Sequence, residues 1–373
     1  MLTQLYIKNF KALREADIPL GGVSLFTGPN AVGKSSALQP LLLLRQSIRE
    51  GNFDKGLFLR HEDYLSLGLG KDVFSIGAAA AASLHFELEW DHAHSLKLDF
   101  QQELGRDVLP LLKLEPPQSG FAWAEEALFS RDFQYLSANR IHPQVQYPTS
   151  PYYVDELHAL GKAGDYTVHY LGKYQDEPIA ISTLQHPKAK SDTLLDNVSA
   201  WMADISAGIK VNATYHEELE IASLSYNFEI PSGYTEDFKP TNVGFGVTYV
   251  LPVITALLML PRGGMLIVEN PESHLHPAGQ SKVARLCALA ASAGVQVLME
   301  SHSDHVLNGL RVALKQGVIP PEDIKVYYFH RGEGAPAHET QMIPIFLDEN
   351  GRADQWPEGF FDEWDKQLDK LLE

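Results

Sequence analysis

Residues 2–9 (LTQLYIKN) alternate apolar and polar side chains, the period-two signature of a strand with one wet face. Residues 23–27 (VSLFT) form a short apolar run that predicts a buried strand. A turn at Gly28–Ser35 follows, and then a helix over about 34–49. The run Leu41–Leu44 makes that helix apolar almost all round, so it is expected to be buried against a sheet. Further on, ASLHFELEW and HSLKLDF flank a short DHAH turn and predict a hairpin within 82–100.

From about 101 to 235 the pattern loosens into prolines, tyrosines and short alternating stretches such as Phe133–Ala138 and Leu219–Ile230, with a helix around Leu194–Ile205. We read 101–239 as an inserted region between an N-terminal lobe (1–100) and a C-terminal lobe (240–335), with a small strand–helix module at 336–373. Tyr147, Tyr152 and Tyr153 read as a satellite core, with an interface as the alternative. Regular alternation returns after Asn242: helix 246–260, strand 265–269 (MLIVE), helix 278–292, strand 295–300 (VQVLME), helix 304–315 and strand 324–329 (IKVYYF). Strands alternating with helices of this length predict an α/β fold with a mostly parallel sheet covered on both faces. The N-terminal strands add an antiparallel β portion, and the inserted region is α+β.

Bulk properties narrow the function classes. Hydrophobic residues make up 45% of the 373, enough for a sizeable core. No apolar run approaches the roughly 20 residues that span a bilayer, and the first ten residues have no signal-peptide pattern, so a soluble cytoplasmic protein is expected. Cys287 is the only cysteine, which excludes an intrachain disulfide or a cysteine-cluster zinc site. A formal net charge of -18 argues against general nucleic-acid binding, although a local basic patch is compatible with it. The longest basic stretch, His186 to Lys190 (HPKAK), reads as a solvated loop.

The strongest motif is Gly28-Pro29-Asn30-Ala31-Val32-Gly33-Lys34-Ser35, a full match to GxxxxGK[ST], followed by Ser36. Glycines let the backbone curl so that successive N–H groups point at phosphate oxygens, and the helix behind adds its positive end. Lys34 is then expected on the β- and γ-phosphates of ATP and the Ser35 hydroxyl on magnesium. A chance glycine turn is the bland alternative, but an apolar strand before the motif and a helix after it argue against that. A second motif, MLIVE-Asn270-Pro271-Glu272, ends a buried strand in acids. Glu269 is the candidate for the magnesium side, and Asn270 and Glu272 for orienting the attacking water. A third, Glu300-Ser301-His302-Ser303-Asp304, places His302 at a strand end where it can reach a γ-phosphate; Ser303 or Asp304 capping a helix is the structural alternative. His274 and His276, two residues apart beside Pro277, read as a structural turn rather than a metal pair.

The phosphate loop, ENPESHLHP and ESHSDHVLNGLR together resemble the SMC-like ABC ATPases of prokaryotes. The branch they resemble is the ATPase half of OLD-type (overcoming-lysogenization-defect) proteins and related ATPases of defence operons. LTQLYIKNFKALREADIPL resembles the first strands of that group, and the tail QMIPIFLDENGRADQWPEGFFDEW a C-terminal module of one subgroup. The resemblance covers about 1–75 and 240–373 and implies a P-loop NTPase of ABC/SMC-head type whose heads sandwich ATP between them. The signature segment of such a head falls at Asn242–Thr248, with Gly244 and Gly246 as donors to the partner's γ-phosphate; a flexible loop entering a core helix is the alternative. His302 matches the switch histidine, Glu269 the usual aspartate, and Asn270 falls where the catalytic glutamate normally sits, which implies slow hydrolysis. Only about 44 residues follow IKVYYF, too few for the Toprim nuclease of some OLD-type chains, so no intrinsic nuclease is expected.

The expectation is an ATPase that uses ATP and magnesium, forms a homo-oligomer of heads and controls a separate effector such as a nuclease or toxin in an antiphage complex. A DNA-repair or chromosome-associated ATPase would call for a coiled coil or basic groove, and no heptad run is present. A nucleotide-binding scaffold with little hydrolysis is kept open by Asn270.

Overall fold

The alternating N-terminal segment becomes β1 (Leu2–Phe10), and β2 (Leu13–Pro19) folds straight back on it in antiparallel register. The computed structural model describes residues 1–51, 53–79, 82–91, 94–118, 120–332 and 339–372. In chain order there follow β3 (Val23–Thr27), α1 (Lys34–Arg49), β4 (Leu57–Phe58), α2 (Gly70–Val73), β5 (Leu84–Trp90), β6 (His94–Phe100), β7 (Val108–Leu109) and β8 (Leu111–Glu115). Next come β9 (Phe133–Leu136), α3 (Thr167–Tyr174), α4 (Leu194–Ile205), β10 (Ile209–His216), β11 (Ile221–Ile230) and β12 (Gly233–Tyr234). The last stretch runs α5 (Phe245–Met259), β13 (Met265–Glu269), α6 (Pro277–Ser292), β14 (Gln296–Glu300), α7 (Asp304–Lys315), β15 (Ile324–His330), β16 (Gln341–Ile345) and α8 (Glu363–Leu372). The chain divides into one unit of Met1–Ser130, Glu322–Asp348 and Arg352–Glu373, and a second of Arg131–Pro321 with Glu349–Gly351.

In the first unit, β2-β1-β5-β6-β8 form an antiparallel sheet. Its alternation sorts the faces: Leu5, Ile7, Phe86, Leu88, Leu96 and Leu98 are buried, while Glu87 and Lys97 pair at 2.8 Å on the wet side. The expected hairpin is β5–β6; residues 92 and 93 of its turn lie outside the described residues. Phe86 anchors the buried face with its ring edge-on to Phe10, centroids 5.7 Å apart. In the same unit β15 lies parallel to β3 and antiparallel to β16. Helix α1 is buried almost all round, as its leucine run requires. Its buried polar residues are bonded: Arg45 donates to the carbonyls of Leu128 and Ser130 and to Tyr64 Oη, and Gln46 donates to the Phe58 carbonyl at 2.6 Å.

In the second unit, β13 is flanked in parallel by β14 and β9. Residues 133–136, read from sequence as part of an inserted region, thus stand beside the acidic strand. Helices α6 and α7 approach closely at Gly309, where a Cβ would sit 2.8 Å from Ala284 Cβ. Strands β10, β11 and β12 make an antiparallel ribbon. His186 is not in the solvated loop expected of HPKAK. It is buried, edge-on to Trp201 at 4.7 Å and 3.2 Å from Asp204 Oδ2, because α4 supplies both of these neighbours. Of the three tyrosines, Tyr147 is buried, Tyr153 stacks on Tyr166 at 4.7 Å, and Tyr152 is exposed. Among the described residues no helix is long and apolar enough to cross a membrane.

Phe86 is fully buried, so Phe86→Ala is expected to cost about 3–5 kcal/mol of stability. Urea denaturation of parent and variant measures it, with the midpoint falling and the slope unchanged.

Candidate functional site

The phosphate loop lies in the first unit, between β3 and α1. Its tight start follows from Gly28, whose φ is 141° and where a Cβ would come within 2.2 Å of the Phe329 carbonyl oxygen on β15. The rest of Pro29–Val32 arches over, with Ala31 in the left-handed region, and Gly33 is the N-cap of α1 with no side-chain cap hydrogen bond. The helix therefore presents its first N–H groups toward the loop. Lys34 is buried, and its Nζ donates to the carbonyls of Gly28 at 3.1 Å and Pro29 at 2.7 Å, across the mouth of the arch. Ser35 and Ser36 open the helix, and the Ser36 N–H donates to the Gly33 carbonyl at 3.0 Å. Two outside ties hold the arch: Arg331 donates to the Ala31 carbonyl at 3.0 Å, and the Thr340 hydroxyl donates to that of Val32. Neither residue stands out in the sequence. The cradle fits a polyphosphate: a curled backbone that no Cβ at position 28 would allow, a lysine on its rim and an uncapped helix behind.

The acid cluster lies in the second unit, at the ends of β13 and β14. Glu269 and Glu300 are register partners on the two parallel strands. Burial first, and then the neighbouring Glu300, raise the Glu269 carboxyl above its usual range. Three groups from 133–140 answer that charge. Tyr135 Oη donates to Glu269 Oε1 at 2.9 Å, and the Ala138 N–H donates to Oε2 at 3.2 Å. Arg140, 1% exposed, donates to the backbone carbonyls of Glu269 and Asn270. Burial lowers its guanidinium to about 10, against the pull of Glu272, Tyr249 and Glu269. Sequence reasoning missed Tyr135 and Arg140. Their only signal was a short alternating stretch, and their partners lie some 130 residues further along.

Asn270 is held in the left-handed region at φ 46°, which suits asparagine better than most residues, and its N–H donates to the Glu300 carbonyl at 2.7 Å. Glu272 is 7% exposed; its Oε1 accepts from Ser301 Oγ at 2.6 Å and from the His302 N–H at 3.3 Å. Asn270 Oδ1 and Glu272 Oε2 are buried without a hydrogen-bond partner among the described residues. Two orphaned acceptors in one cluster fit a cation with its water shell, since such groups are costly to leave unpaired. His302 is exposed at the end of β14, and the structural alternative for its neighbour holds as well: Ser303 Oγ accepts from the N–H groups of His305 and Val306 and caps α7. His274 packs on Tyr249 at 4.8 Å and Phe245 at 5.1 Å, while His276 Nδ1 accepts from the Ala278 N–H and caps α6.

The two signature glycines differ. Gly244 is the N-cap of α5, and a Cβ there meets nothing within 4 Å. Gly246 is buried, and its Cβ would lie 2.4 Å from the His274 carbonyl oxygen, so it is glycine because α5 packs against the turn that carries the acids.

Three family profiles match the chain: "AAA ATPase domain" over 1–87, "AAA domain, putative AbiEii toxin, Type IV TA system" over 123–308, and "Protein of unknown function (DUF3696)" over 319–371. The chain is 21% identical over 339 residues to the OLD nuclease of Thermus scotoductus, covering 81% of this chain and 59% of that protein. AAA ATPase profiles thus cover both motif-bearing segments, and the chain resembles SMC-like, OLD-type ATPases. Its fold is that of SMC heads. The Smc head bound to the C-winged helix domain of ScpA superposes with a TM-score of 0.50 at 13% identity, over 93% of this chain and 98% of that one. The Smc head with an extended coiled coil, bound to the C-terminal domain of ScpA derived from Pyrococcus furiosus, gives 0.50 at 12% identity, over 100% of this chain and 99% of that one. The AAA matches fall on the phosphate loop and on the segment from 123 that holds Arg140, the acid cluster and His302.

The glycine pair yields a contrast in stability. Gly246→Ala is expected to destabilise the ATPase by about 1–3 kcal/mol through overpacking, and Gly244→Ala to stay within about 0.5 kcal/mol of the parent. Equilibrium denaturation of both variants checks it, and equal stabilities would contradict the packing argument.

Proposed function

We propose that this ATPase hydrolyses ATP in the cytoplasm by dividing the work between its two motif groups, and that ATP-dependent pairing of heads controls a separate effector. The loop amides of Gly28–Gly33, with Lys34, Ser35 and Ser36, hold the phosphates. Ser35 would supply a hydroxyl ligand for magnesium, and the Glu269 carboxylate would answer the charge of that ion. Magnesium, when bound, neutralises charge on the phosphates. Glu272 orients the attacking water and takes its proton. Asn270 cannot accept a proton and holds the turn in its left-handed conformation. His302, exposed at the strand end, stabilises charge on the γ-phosphate.

The observation that carries this reading is the Glu272 carboxylate. One oxygen is fixed by Ser301 and the His302 N–H, and the other is buried with no donor among the described residues. A carboxylate so oriented needs little reorganisation to act as a base. With asparagine in place of the usual catalytic glutamate, we expect modest basal turnover. Lys34→Ala should abolish tight ATP binding in calorimetric titration with ATP and magnesium. Glu272→Gln should keep ATP affinity and lower phosphate release by about 10²–10⁴-fold. Silence of Glu272→Gln would move the base elsewhere.

Head pairing rests on the resemblance to ABC-type heads, with Gly244 and Gly246 of one copy completing the site of the other. The effector, a nuclease or toxin of an antiphage system, is suggested by likeness to the OLD nuclease, of whose length this chain spans 59%. Gly244 stands in open space, so it can be altered without disturbing the packing that Gly246 serves. Gly244→Glu is expected to prevent ATP-dependent self-association in sedimentation while leaving stability and ATP binding intact. A parent that stays monomeric with a non-hydrolysable analogue would sink the pairing model.

A further inference from the structure

A second ligand site is built into the 188–234 segment. A cavity of about 290 Å³ lies between α4, β10 and β12, lined by Lys188, Lys190, Lys210 and Tyr234 together with Asp196, Asp204 and Glu229. Its size is at the lower edge of the roughly 300–1,000 Å³ of small-molecule sites. Lys190 Nζ and Lys210 Nζ stand 5.5 Å and 5.4 Å from the centroid of the same Tyr234 ring. No ion pair or side-chain hydrogen bond engages the ammonium of Lys188, Lys190 or Lys210 among the described residues. Two of the three acids are engaged. Asp204 Oδ2 meets the His186 ring at 3.2 Å, and Asp196 Oδ2 accepts from Ser191 Oγ at 2.6 Å. The C-terminal end of α4, whose carbonyls would repel an anion, is partly neutralised by Lys282, which donates to the Asp204 carbonyl. The bonds to Asp204 and Asp196 orient the two carboxylates without removing their charge, so they oppose an anion together with Glu229, which is exposed on β11.

Among the described residues, three lysines without an ion pair line one concavity in a chain of net charge -18, two of them held only by the Tyr234 ring. A bound anion would supply the ion pair that these ammonium groups lack among those residues. The half-exposed Tyr234 ring adds a face on which a planar group can stack. We propose that this cavity binds a nucleotide, its phosphate on Lys190 and Lys210 with Lys188 behind, and its base against Tyr234. The nucleotide is either a free monophosphate or one unit of a single strand; both carry the same phosphate and base. Its lining shares no residue with the phosphate loop or the acid cluster.

The test uses the full chain carrying Lys34→Ala, so that nucleotide binding at the phosphate loop does not interfere. Thymidine 5′-monophosphate is titrated by calorimetry, and a fluorescein-labelled ten-residue oligothymidylate by anisotropy, both at low salt. Binding of the monophosphate identifies a free nucleotide as ligand, and binding of the oligonucleotide alone identifies a single strand. In either case Lys190→Gln with Lys210→Gln should weaken binding at least tenfold and Tyr234→Ala several-fold, whereas Glu229→Gln should tighten it. All four positions are at or near the surface, and circular dichroism verifies that the variants stay folded. Failure of both probes to bind, or affinity unchanged in the double lysine variant, would overturn the proposal. With Lys34 restored, the lysine variants should keep parental ATP turnover, so failure here is distinguishable from failure of the ATPase reading.

Discussion

Two acids at the ends of adjacent parallel strands set the terms for the second unit. Parallel register brings Glu269 and Glu300 side by side where burial already penalises charge, so Glu300 adds to the cost of ionising Glu269. The strand ends are tolerable only if donors converge on them. Tyr135, the Ala138 N–H and Arg140 do so, and all three come from β9 and the turn after it. This requirement explains why four residues, Phe133–Leu136, pair with β13 although so short a strand has little stability of its own. Arg140 adds a mechanical role. By bonding the carbonyls of both Glu269 and Asn270 it fixes the backbone as it leaves the strand, and with it the left-handed residue that turns the chain toward Glu272.

The same constraint reaches α5. The turn from Asn270 to His276 must lie close to that helix, and Gly246 is the position where a side chain would strike the His274 carbonyl. A glycine that looks like part of a phosphate-sensing signature thus has a local reason to be glycine. Gly244 has no such reason, since a side chain there would enter open space. Glycine without a steric requirement at a helix N-terminus is what a backbone donor to a ligand would look like, so the functional weight shifts from Gly246 to Gly244.

Legibility in the sequence followed the range of the interactions. Strand β3, helix α1 and the run from α5 to α7 were readable nearly to the residue, because their periodicity and punctuation are local. The phosphate loop was readable because its glycines answer local backbone demands. Residues 133–140 were not placed. A four-residue strand carries too few periods to count, and Arg140 acquires meaning only from carbonyls 129 and 130 residues away. His186 was misread for a related reason: a polar, proline-flanked loop looks solvated, yet its ring is enclosed by Trp201 and held by Asp204. Local chemistry could not show that α4 lends a wall.

Asn270 and Glu272 show how one turn can separate two duties that a single glutamate performs elsewhere. Position 270 carries a positive φ, where asparagine is favoured and a longer carboxylic side chain is strained. Pro271 then fixes the backbone and delivers Glu272 to Ser301 and the His302 N–H. A carboxylate at 272 is fixed by bonds to its first oxygen, so its second oxygen points in one direction without a further partner. A carboxylate at 270 would have to be held against the strain of its own backbone. The geometry thus ties position 270 to the conformation of the turn and orients the carboxylate at position 272. Under the proposed function, that division leaves an oriented carboxylate in the cluster although Asn270 itself cannot take a proton.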